Sequence, residues 1–464
     1  MTMNEIRFDT DLIERYGGRG PRYTSYPTAV QFHDGFGETE YRRQCAASNE
    51  GSERRPLSIY VHLPFCESLC YYCACNKEVT RNRARVERYM THLYSELDLQ
   101  AALFDDTRVV EQLHLGGGSP TYFDTDELGE LIRRIGERFR LQSDGNQEFS
   151  IEVDPRTIEP EGMAPLYALG FNRLSLGVQD LEQRVQEAVN RVQSFAKTRD
   201  LIDAARASGF QSVSLDLIYG LPHQSVASFD ATIDRVLTLK PDRLAIYNYA
   251  HLPQMFKAQR LIDAADLPDA SAKLEILHGT IAKLTAAGYE YIGMDHFALP
   301  SDELVVAQNK GELQRNFQGY STHARCDLIS LGVSAISHVH HCYSQNVKSV
   351  NRYCQLLEQG HLPVERGLEL SDDDELRASV IETIMCHGRL DFAAVAQSFG
   401  LDFGDYFGAE LEALAPLADD GLIKFDDAGF EVTPAGRLLL RPVAMVFDRY
   451  LREEANKARF SKVI

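Results

Sequence analysis

Four cysteines lie in one short stretch that could hold a metal centre. Leu63–Lys77 reads LPFCESLCYYCACNK and contains Cys66, Cys70, Cys73 and Cys75, although the chain of 464 residues has nine cysteines in all. Thiolates are soft ligands that select iron–sulfur, zinc or cuprous centres. Even a fully extended chain would separate neighbouring members of the first three by only about 14 and 10 Å. A folded loop therefore brings these three sulfurs to one small cluster.

Two kinds of metal site fit these thiols. A cubane 4Fe–4S cluster normally takes four cysteines, and with three ligands one iron keeps an open position for chemistry. A structural zinc site needs four ligands, which the four cysteines could supply. Their spacing, however, is not that of the paired CxxC motifs of zinc ribbons. The spacing therefore favours an open iron–sulfur cluster, with zinc as the alternative.

Six strands alternating with helices are predicted to position this loop. Such alternation is typical of βαβ units with a parallel sheet, and right-handed crossovers curl consecutive strands in one direction. We therefore expect an α/β fold with a full or partial (β/α)6 barrel, whose active site lies at the C-terminal ends of the strands. The predicted strands are Leu57–Val61, Val109–Leu115, Glu148–Val153, Arg173–Leu176, Ser212–Leu217 and Arg243–Tyr247.

The polar and glycine-rich features of the chain follow these strands. Each feature alone is typical of a turn or a helix cap, and Gly116–Gly118 matches neither a Walker A nor a GxGxxG motif. Their common position predicts one functional rim. In strand order they are the cysteine loop, Gly116–Gly118, Glu152, Gln179, Asp216 and Asn248–Pro253.

The N-terminal segment 1–55 has two interpretations. Two prolines and four glycines between residues 17 and 35 forbid a long helix there, which is typical of a flexible arm. Arg19 and Arg22 with Tyr23 and Tyr26 could instead form a clamp, because arginine pairs bidentately with carboxylates. Residues 56–350 are predicted to form the barrel with an extension.

The C-terminal segment 351–464 is predicted to be a mostly helical domain. A hairpin within Leu422–Val432 and a helix over 434–456 resemble a winged-helix fold. The acidity of the segment argues against DNA, so we expect a packing or lid domain. In Ser337–Cys342, His338 and His340 should share a strand face, but the spacing of possible ligands there argues against a metal.

Composition limits the partners. The net charge is −20, with 68 acidic and 48 basic residues, which argues against nucleic acid and anionic membranes. An anionic substrate would need basic residues gathered locally. We find neither a run of about 18 apolar residues nor the apolar region of a signal peptide. We therefore expect a cytoplasmic protein whose thiols stay reduced.

Ten segments of the chain resemble the radical S-adenosylmethionine (SAM) superfamily. The three-cysteine motif carries the superfamily likeness. Cys75, Pro21–Pro27 and Arg315–Tyr320 are similar to the narrower family of oxygen-independent coproporphyrinogen III oxidases, and the likeness runs nearly to Phe460–Ile464. The other segments are His62–Lys77, Leu115–Tyr122, Glu152–Arg156, Gly177–Asp180, Asn190–Arg191, Asp216–Pro222, Tyr249–Pro253 and Gly332–Ser337.

This resemblance implies a radical-SAM barrel and a role for each matching residue. Cys66, Cys70 and Cys73 would hold one 4Fe–4S cluster, whose open iron chelates SAM, and Cys75 would not ligate. Tyr60 and Tyr72 would lie beside that ligand. The first SAM would be bound by Gly117, Glu152 and Ile336, and a second SAM or substrate-side site by Gly118, Ser119, Gln179, Arg191, Asp216 and Ala250. Tyr72, Ser119 and the segment Thr322–Cys326 depart from the family pattern.

The same resemblance implies a reaction. An electron from the cluster would split SAM, and the resulting 5′-deoxyadenosyl radical would take a β-hydrogen from a propionate of coproporphyrinogen III. Loss of CO2 and an electron would leave a vinyl group, and two such steps would give protoporphyrinogen IX. A flavodoxin-like or ferredoxin-like donor, an unidentified acceptor and a monomeric enzyme are expected. The alternatives are a haem-binding chaperone of the same superfamily and a non-catalytic zinc or redox-sensing protein.

Overall fold

The computed structural model describes residues 6–50, 54–323, 326–451 and 460. Residues 324 and 325 of the atypical segment Thr322–Cys326, and residues 461–464, lie outside the described residues. The chain divides into two compact units. We call Phe32–Lys283 with Arg325–Glu369 the sheet unit. We call Met1–Gln31 with Leu284–Ala324 and Leu370–Ile464 the helical unit.

Six parallel strands form the centre of the sheet unit. They pair in chain order, each with the next, which confirms the predicted βα units. The strands are β1 (Leu57–Leu63), β2 (Val109–Gly117), β3 (Glu148–Val153), β4 (Arg173–Gln179), β5 (Ser212–Tyr219) and β6 (Arg243–Asn248). The helices between them are Arg83–Ala101, Thr125–Arg138, Met163–Ala168, Gln183–Ala188, Phe195–Ser208 and Val226–Thr238.

Four further strands extend the sheet beyond β1. β7 (Asp327–Leu331) runs parallel to β1. β8 (Ile336–Val339), β9 (Cys342–Asn346) and β10 (Val364–Glu369) then follow in antiparallel order. β7 lies within the segment 56–350 that was predicted to form the barrel with its extension, whereas β10 lies beyond it. The domain boundaries after residues 55 and 350 stay a prediction.

The histidines near residue 340 do not share a strand face. β8 ends at Val339, and His340 lies in the following turn with a φ of 50°. The His338 ring stacks on Tyr343 with 4.3 Å between the ring centroids, and His340 Nδ1 is hydrogen-bonded to Gln44 Oε1 at 2.9 Å. The predicted common face is therefore wrong, because the strand turns one residue earlier than the pattern suggested.

β1 shows why the sheet forms. Leu57, Ile59, Val61 and Leu63 are fully buried, and side chains alternate between the two faces of a strand. Ser58 on the opposite face is also buried. A parallel strand covered on both faces therefore fixes the direction in which β1 delivers the cysteine loop.

The helical unit packs around its own apolar cluster. Helix Asp372–His387 begins with a capping box between Ser371 and Asp374. It buries Val380 and Ile384 in a cluster that also contains Phe407, Val443 and Phe447.

The other helices of the two units have the bounds Thr10–Tyr16, Glu38–Ser48, Ala270–Ala286, Glu303–Lys310, Val350–Glu358, Phe392–Phe399, Phe403–Tyr406 and Gly408–Asp419. None of the helices in the described ranges is long and apolar enough to cross a membrane.

The predicted hairpin is present, whereas the predicted helix over 434–456 is interrupted. Strands Ile423–Phe425 and Gly429–Val432 pair, and Arg389–Asp391 joins them as a third strand. The helix is reduced to Leu440–Met445, between single turns at Arg437–Leu439 and Arg449–Leu451. Pro442 has no N–H and is tolerated in the first helical turn, so the helix cannot extend far upstream. Residues 452–456 lie outside the described residues.

A buried carboxyl joins the extension of the sheet to helix Arg83–Ala101. Glu96 accepts hydrogen bonds from the Gly332 N–H at 2.7 Å, from Asn346 Nδ2 at 2.7 Å and from the Tyr353 hydroxyl. Burial raises the pKa of Glu96 to about 7, although the three donors oppose the shift. A carboxyl whose pKa rises on folding stabilises the protonated native state at low pH.

This contribution should be lost as pH rises. It is fully present below the usual glutamate pKa of about 4.5 and disappears as pH rises through about 7, a change of roughly 3 kcal/mol in the free energy of unfolding. We expect Glu96→Gln to remove this part of the pH dependence. Denaturant unfolding at about pH 5 and about pH 7 measures it, with the exposed Glu161→Gln as control. An equal pH dependence in wild type and Glu96→Gln would contradict the assignment.

Candidate active site

The cysteine loop is pinned at both ends just beyond β1. The short strand Phe65–Cys66 pairs in parallel with Glu78–Val79. The Glu78 N–H donates to the Pro64 carbonyl at 2.7 Å, and the Thr80 N–H donates to the Cys66 carbonyl at 3.2 Å. The loop therefore leaves and returns at the C-terminal end of one strand, as the sequence predicted.

The three predicted ligand thiols lie close to one another. The Cys73 N–H donates to the Cys70 carbonyl at 3.3 Å. Burial raises the pKa of the Cys66 thiol to about 12, and the charges of Cys73 and Cys70 add to this shift. A hydrogen bond from the Cys75 thiol lowers the pKa of Cys73 to about 6. Three adjacent soft donors fit an iron–sulfur cluster.

Two guanidinium groups contact the sulfur of Cys70. Arg156 Nη2 lies 3.4 Å and Arg191 Nη1 lies 3.6 Å from Cys70 Sγ. Asp154 pairs with both arginines, at 2.7 Å and 3.0 Å. Arg191 Nη2 also donates to the Gly177 carbonyl at 2.6 Å. Two cations with one shared carboxylate therefore leave a positive balance beside this ligand.

The glycine run packs the end of β2 against the start of the cysteine loop. The Gly118 N–H donates to the Leu63 carbonyl at 2.8 Å, and the Ser119 N–H donates to the Phe65 carbonyl at 2.9 Å. A Cβ on Gly118 would lie 2.6 Å from the carbonyl carbon of Pro64, so only glycine fits without moving the backbone. The N–H groups of Gly118 and Ser119 are thus already used within the protein.

Glu152 is held as an ionised carboxylate at the end of β3. It accepts hydrogen bonds from His114 Nε2 and from the Gly117 N–H, each at 3.2 Å. Burial raises the pKa of Glu152, but the hydrogen bonds from His114 and Gly117 and the charges of His114 and His62 together outweigh burial, so the pKa lies below its usual value. The Tyr60 ring stacks on His114 with 5.6 Å between the centroids. Gly117 has a φ of 113°, a conformation that favours glycine.

Asp216 provides a second carboxyl, which is protonated more readily than that of Glu152. β4 lies between β3 and β5, and Ser175 on β4 pairs with Glu152. The Ser175 hydroxyl donates to Asp216 Oδ2 at 3.1 Å. Burial, followed by the negative charge of Glu152, raises the pKa of Asp216 to about 7. The rim therefore carries one fixed anion and one carboxyl that is readily protonated.

Gln259 connects the cysteine loop to the segment after β6. Its Nε2 donates to the Tyr72 carbonyl at 3.0 Å and to the Ala250 carbonyl at 3.2 Å. Gln179 and Arg191 lie against Gly177, where an added Cβ would come within 2.9 Å of both side chains. Gln259 thus links Tyr72 to Ala250, and Gly177 lies between Gln179 and Arg191. Neither Gln259 nor Gly177 was among the predicted site residues.

Ile336 is linked to the site indirectly. It begins β8, and its carbonyl accepts a hydrogen bond from the Ser330 hydroxyl at 2.6 Å. Ser330 on β7 pairs in turn with Tyr60 on β1. Ser330 therefore connects Ile336 to Tyr60 across the sheet. Among the described residues, Ile336 has no hydrogen bond with the other predicted site residues.

Arg22 and Tyr23 belong to the helical unit. Arg22 pairs with Asp295, and the Arg22 side chain remains 37% exposed. The Tyr23 hydroxyl donates to Asp448 at 2.9 Å, and Tyr23 is buried in the apolar cluster of that unit. Packing therefore accounts for Tyr23, whereas Arg22 keeps an accessible cation.

Comparison with known proteins decides the family. Residues 60–236 match the model of the radical SAM superfamily, and residues 370–439 match that of the HemN C-terminal domain. The oxygen-independent coproporphyrinogen III oxidases of Pseudomonas aeruginosa and Escherichia coli are each 49% identical to this chain, over the full length of both proteins. The chain belongs to this family of radical SAM enzymes.

A solved structure gives the same result for the fold. Coproporphyrinogen III oxidase (HemN) from Escherichia coli matches with a TM-score of 0.91 and 48% identity, covering 96% of this chain and all of that one. The radical SAM fold is thereby confirmed. Family membership assigns a 4Fe–4S cluster and SAM as cofactors, and the three thiols fit that cluster.

The sequence prediction left several neighbours of the site without a role. These neighbours contact predicted residues. Asp154 and Arg156 come directly after β3, in the segment Glu152–Arg156 that resembles the family, and this position could have indicated that they belong to the site. The other neighbours are His62, His114, Ser175 and Gln259.

We expect Cys70→Ala to lose most of its iron, because two of the proposed ligands are too few to hold a cluster. Cys75→Ser, the matched variant, should keep it. Iron and sulfide content and visible absorbance after anaerobic reconstitution measure both. Full iron content in Cys70→Ala would contradict the assignment, and equal loss in Cys75→Ser would show that Cys75 ligates.

We expect Arg156→Gln to lower the reduction potential of the cluster. A cation that donates to Cys70 Sγ stabilises the more negative, reduced state, and hydrogen bonds to the sulfurs set such potentials. Redox titration followed by electron paramagnetic resonance measures the shift. Arg156→Lys should move the potential less, and the exposed Arg199→Gln should not move it. An unchanged potential in Arg156→Gln would exclude this role.

Proposed function

We propose that this protein converts two propionate side chains of coproporphyrinogen III to vinyl groups without oxygen, giving protoporphyrinogen IX in haem biosynthesis. The observation that carries the proposal is the identity of 49% to coproporphyrinogen III oxidases over the whole chain. The cysteine loop at the C-terminal end of β1 supports it, because that end of a βα barrel is where active sites form.

The cluster and SAM, when bound, supply the one-electron chemistry that removes hydrogen from the substrate. Cys66, Cys70 and Cys73 would hold the cluster. The other predicted site residues of the sheet unit would bind and orient SAM.

The two carboxyls of the rim would have different tasks. Glu152 is an acceptor that stays ionised, so it would bind the donor groups of a first SAM together with Tyr60, Gly117 and Ile336. Asp216, with a pKa raised to about 7, could accept or donate. It would serve a second SAM or substrate-side site with the group comprising Gly118, Ser119, Gln179, Arg191 and Ala250, whereas Tyr72 would lie with Tyr60 beside the SAM on the open iron.

The partners follow from the same reaction. We propose a flavodoxin-like or ferredoxin-like electron donor, a separate electron acceptor and a monomeric enzyme. All nine cysteines lie within the described residues as free thiols. A cytoplasmic location fits them, because that compartment keeps thiols reduced.

Anaerobic turnover tests the proposal. Reconstituted protein with coproporphyrinogen III, SAM and a chemical reductant should give a divinyl product, CO2, methionine and 5′-deoxyadenosine. Cys70→Ala should give none of these products. Stable haem binding with no vinyl product would instead identify a chaperone. Zinc without iron in anaerobically purified protein would identify a zinc protein.

A further inference from the structure

Several arginines of the helical unit are buried. Arg315 is 8%, Arg441 3% and Arg437 4% exposed. Arginine is almost never fully buried unless it is paired. In a chain with a net charge of −20, such a group of interior cations calls for a specific counterpart.

Arg315 has one nitrogen without a partner. Its backbone N–H donates to Glu382 Oε1 at 3.1 Å, and its Nε donates to the Arg22 carbonyl at 3.3 Å. Its guanidinium carbon lies 4.7 Å from the centroid of the Tyr320 ring. The buried Nη1 has no hydrogen-bond partner among the described residues. Leaving such a charged donor unsatisfied is costly, so this nitrogen is where a ligand would be expected.

Three guanidinium groups act on one another here. Burial lowers the pKa of Arg441 to about 10, and the positive charges of Arg22 and Arg315 contribute to that shift. Arg441 donates to the carbonyls of Gly20 and Pro21, which fixes its side chain against the segment that carries Arg22.

The acidic groups nearby give incomplete compensation. Asp295 pairs with Arg22 and lowers the electrostatic cost for Arg441. Burial raises the pKa of Glu382 to about 7, so this carboxyl carries only part of a charge near neutral pH. Asp448 is engaged by the Tyr23 hydroxyl. The positive charges of the three arginines therefore exceed the negative charge that these described carboxyls supply near neutral pH.

We propose that Arg315, together with Arg22 and Arg441, binds a carboxylate of the substrate, and that the free Nη1 of Arg315 is its main donor. A planar guanidinium matches a carboxylate in shape and binds it through parallel hydrogen bonds. The Arg22 side chain is 37% exposed, so this member of the group can be reached from solvent. This inference rests on the proposed function for the identity of the ligand, since coproporphyrinogen III carries propionates.

Binding of a stable tetracarboxylate tests the inference. Coproporphyrin III, the oxidised form of the substrate, is titrated into the reconstituted holoenzyme and followed by its fluorescence. We expect Arg315→Gln to raise Kd by at least about tenfold, because a hydrogen bond to a charged group is lost. Arg315→Lys should fall between Arg315→Gln and wild type, because it keeps the charge but not the fork. The exposed Arg389→Gln is the matched control.

Two further measurements separate the possible outcomes. Coproporphyrin III tetramethyl ester, which has no anion, should bind equally to wild type and Arg315→Gln. SAM affinity and cluster absorbance should be unchanged in Arg315→Gln, which also verifies that this variant folds. If Arg315→Gln does not fold, Arg315→Lys carries the comparison.

The inference and the proposed function fail in different ways. Wild-type turnover with unchanged coproporphyrin III affinity in Arg315→Gln and Arg315→Lys would overturn the carboxylate site and leave the function standing. Absence of turnover, with affinity still dependent on Arg315, would overturn the function and keep a carboxylate site. Equal loss of ester and acid binding would show that Arg315 acts only on folding.

Discussion

The close backbone contact between the ends of β1 and β2 is the constraint on which the site depends. Gly118 and Ser119 donate to the carbonyls of Leu63 and Phe65, and no side chain fits at Gly118. β1 is also held by β7 on its other side. Cys66, the first predicted ligand, therefore starts from a point that the sheet defines.

Positive charge is concentrated at a few places in this acidic protein. The chain has 20 more acidic than basic residues, and a field of that sign repels anions at long range. Cations are accordingly gathered where an anion has to be held. Arg156 and Arg191 meet the sulfur of Cys70, while Arg315 and Arg441 are buried in the helical unit. Surface lysines would be screened by salt, whereas buried guanidinium groups are screened much less.

The central strands could be predicted because buried apolar residues recur at alternate positions in several of them and helices separate them, a pattern that local sequence carries. β9 was missed because Cys342–Asn346 reads CYSQN, which is mostly polar although every residue is buried. The limits of the two units could not be predicted either. They follow from pairing between segments hundreds of residues apart, such as β1 with β7.

The site was predictable where a motif follows a strand. The cysteines come after β1, and the glycine run, Glu152 and Asp216 lie in the C-terminal half of β2, β3 and β5 or directly after it. Gln259 was not predictable, because its side chain donates to backbone carbonyls, and one of these, at Tyr72, lies 187 positions away in sequence. The contact of Tyr23 could not be predicted either, for a related reason. Its partner Asp448 lies 425 positions away, so nothing near Tyr23 indicates that its hydroxyl is already engaged.

The helical unit uses both ends of the chain, and this imposes an order on biosynthesis. The sheet unit is complete once Glu369 has been made. The segment around Gly20–Tyr23 meets Arg441 and Asp448 only when the last part of the chain has left the ribosome. A protein interrupted before Arg441 could hold a finished sheet yet leave Arg22 unplaced. The segment that carries Arg22 therefore depends for its native setting on residues made some 420 positions later.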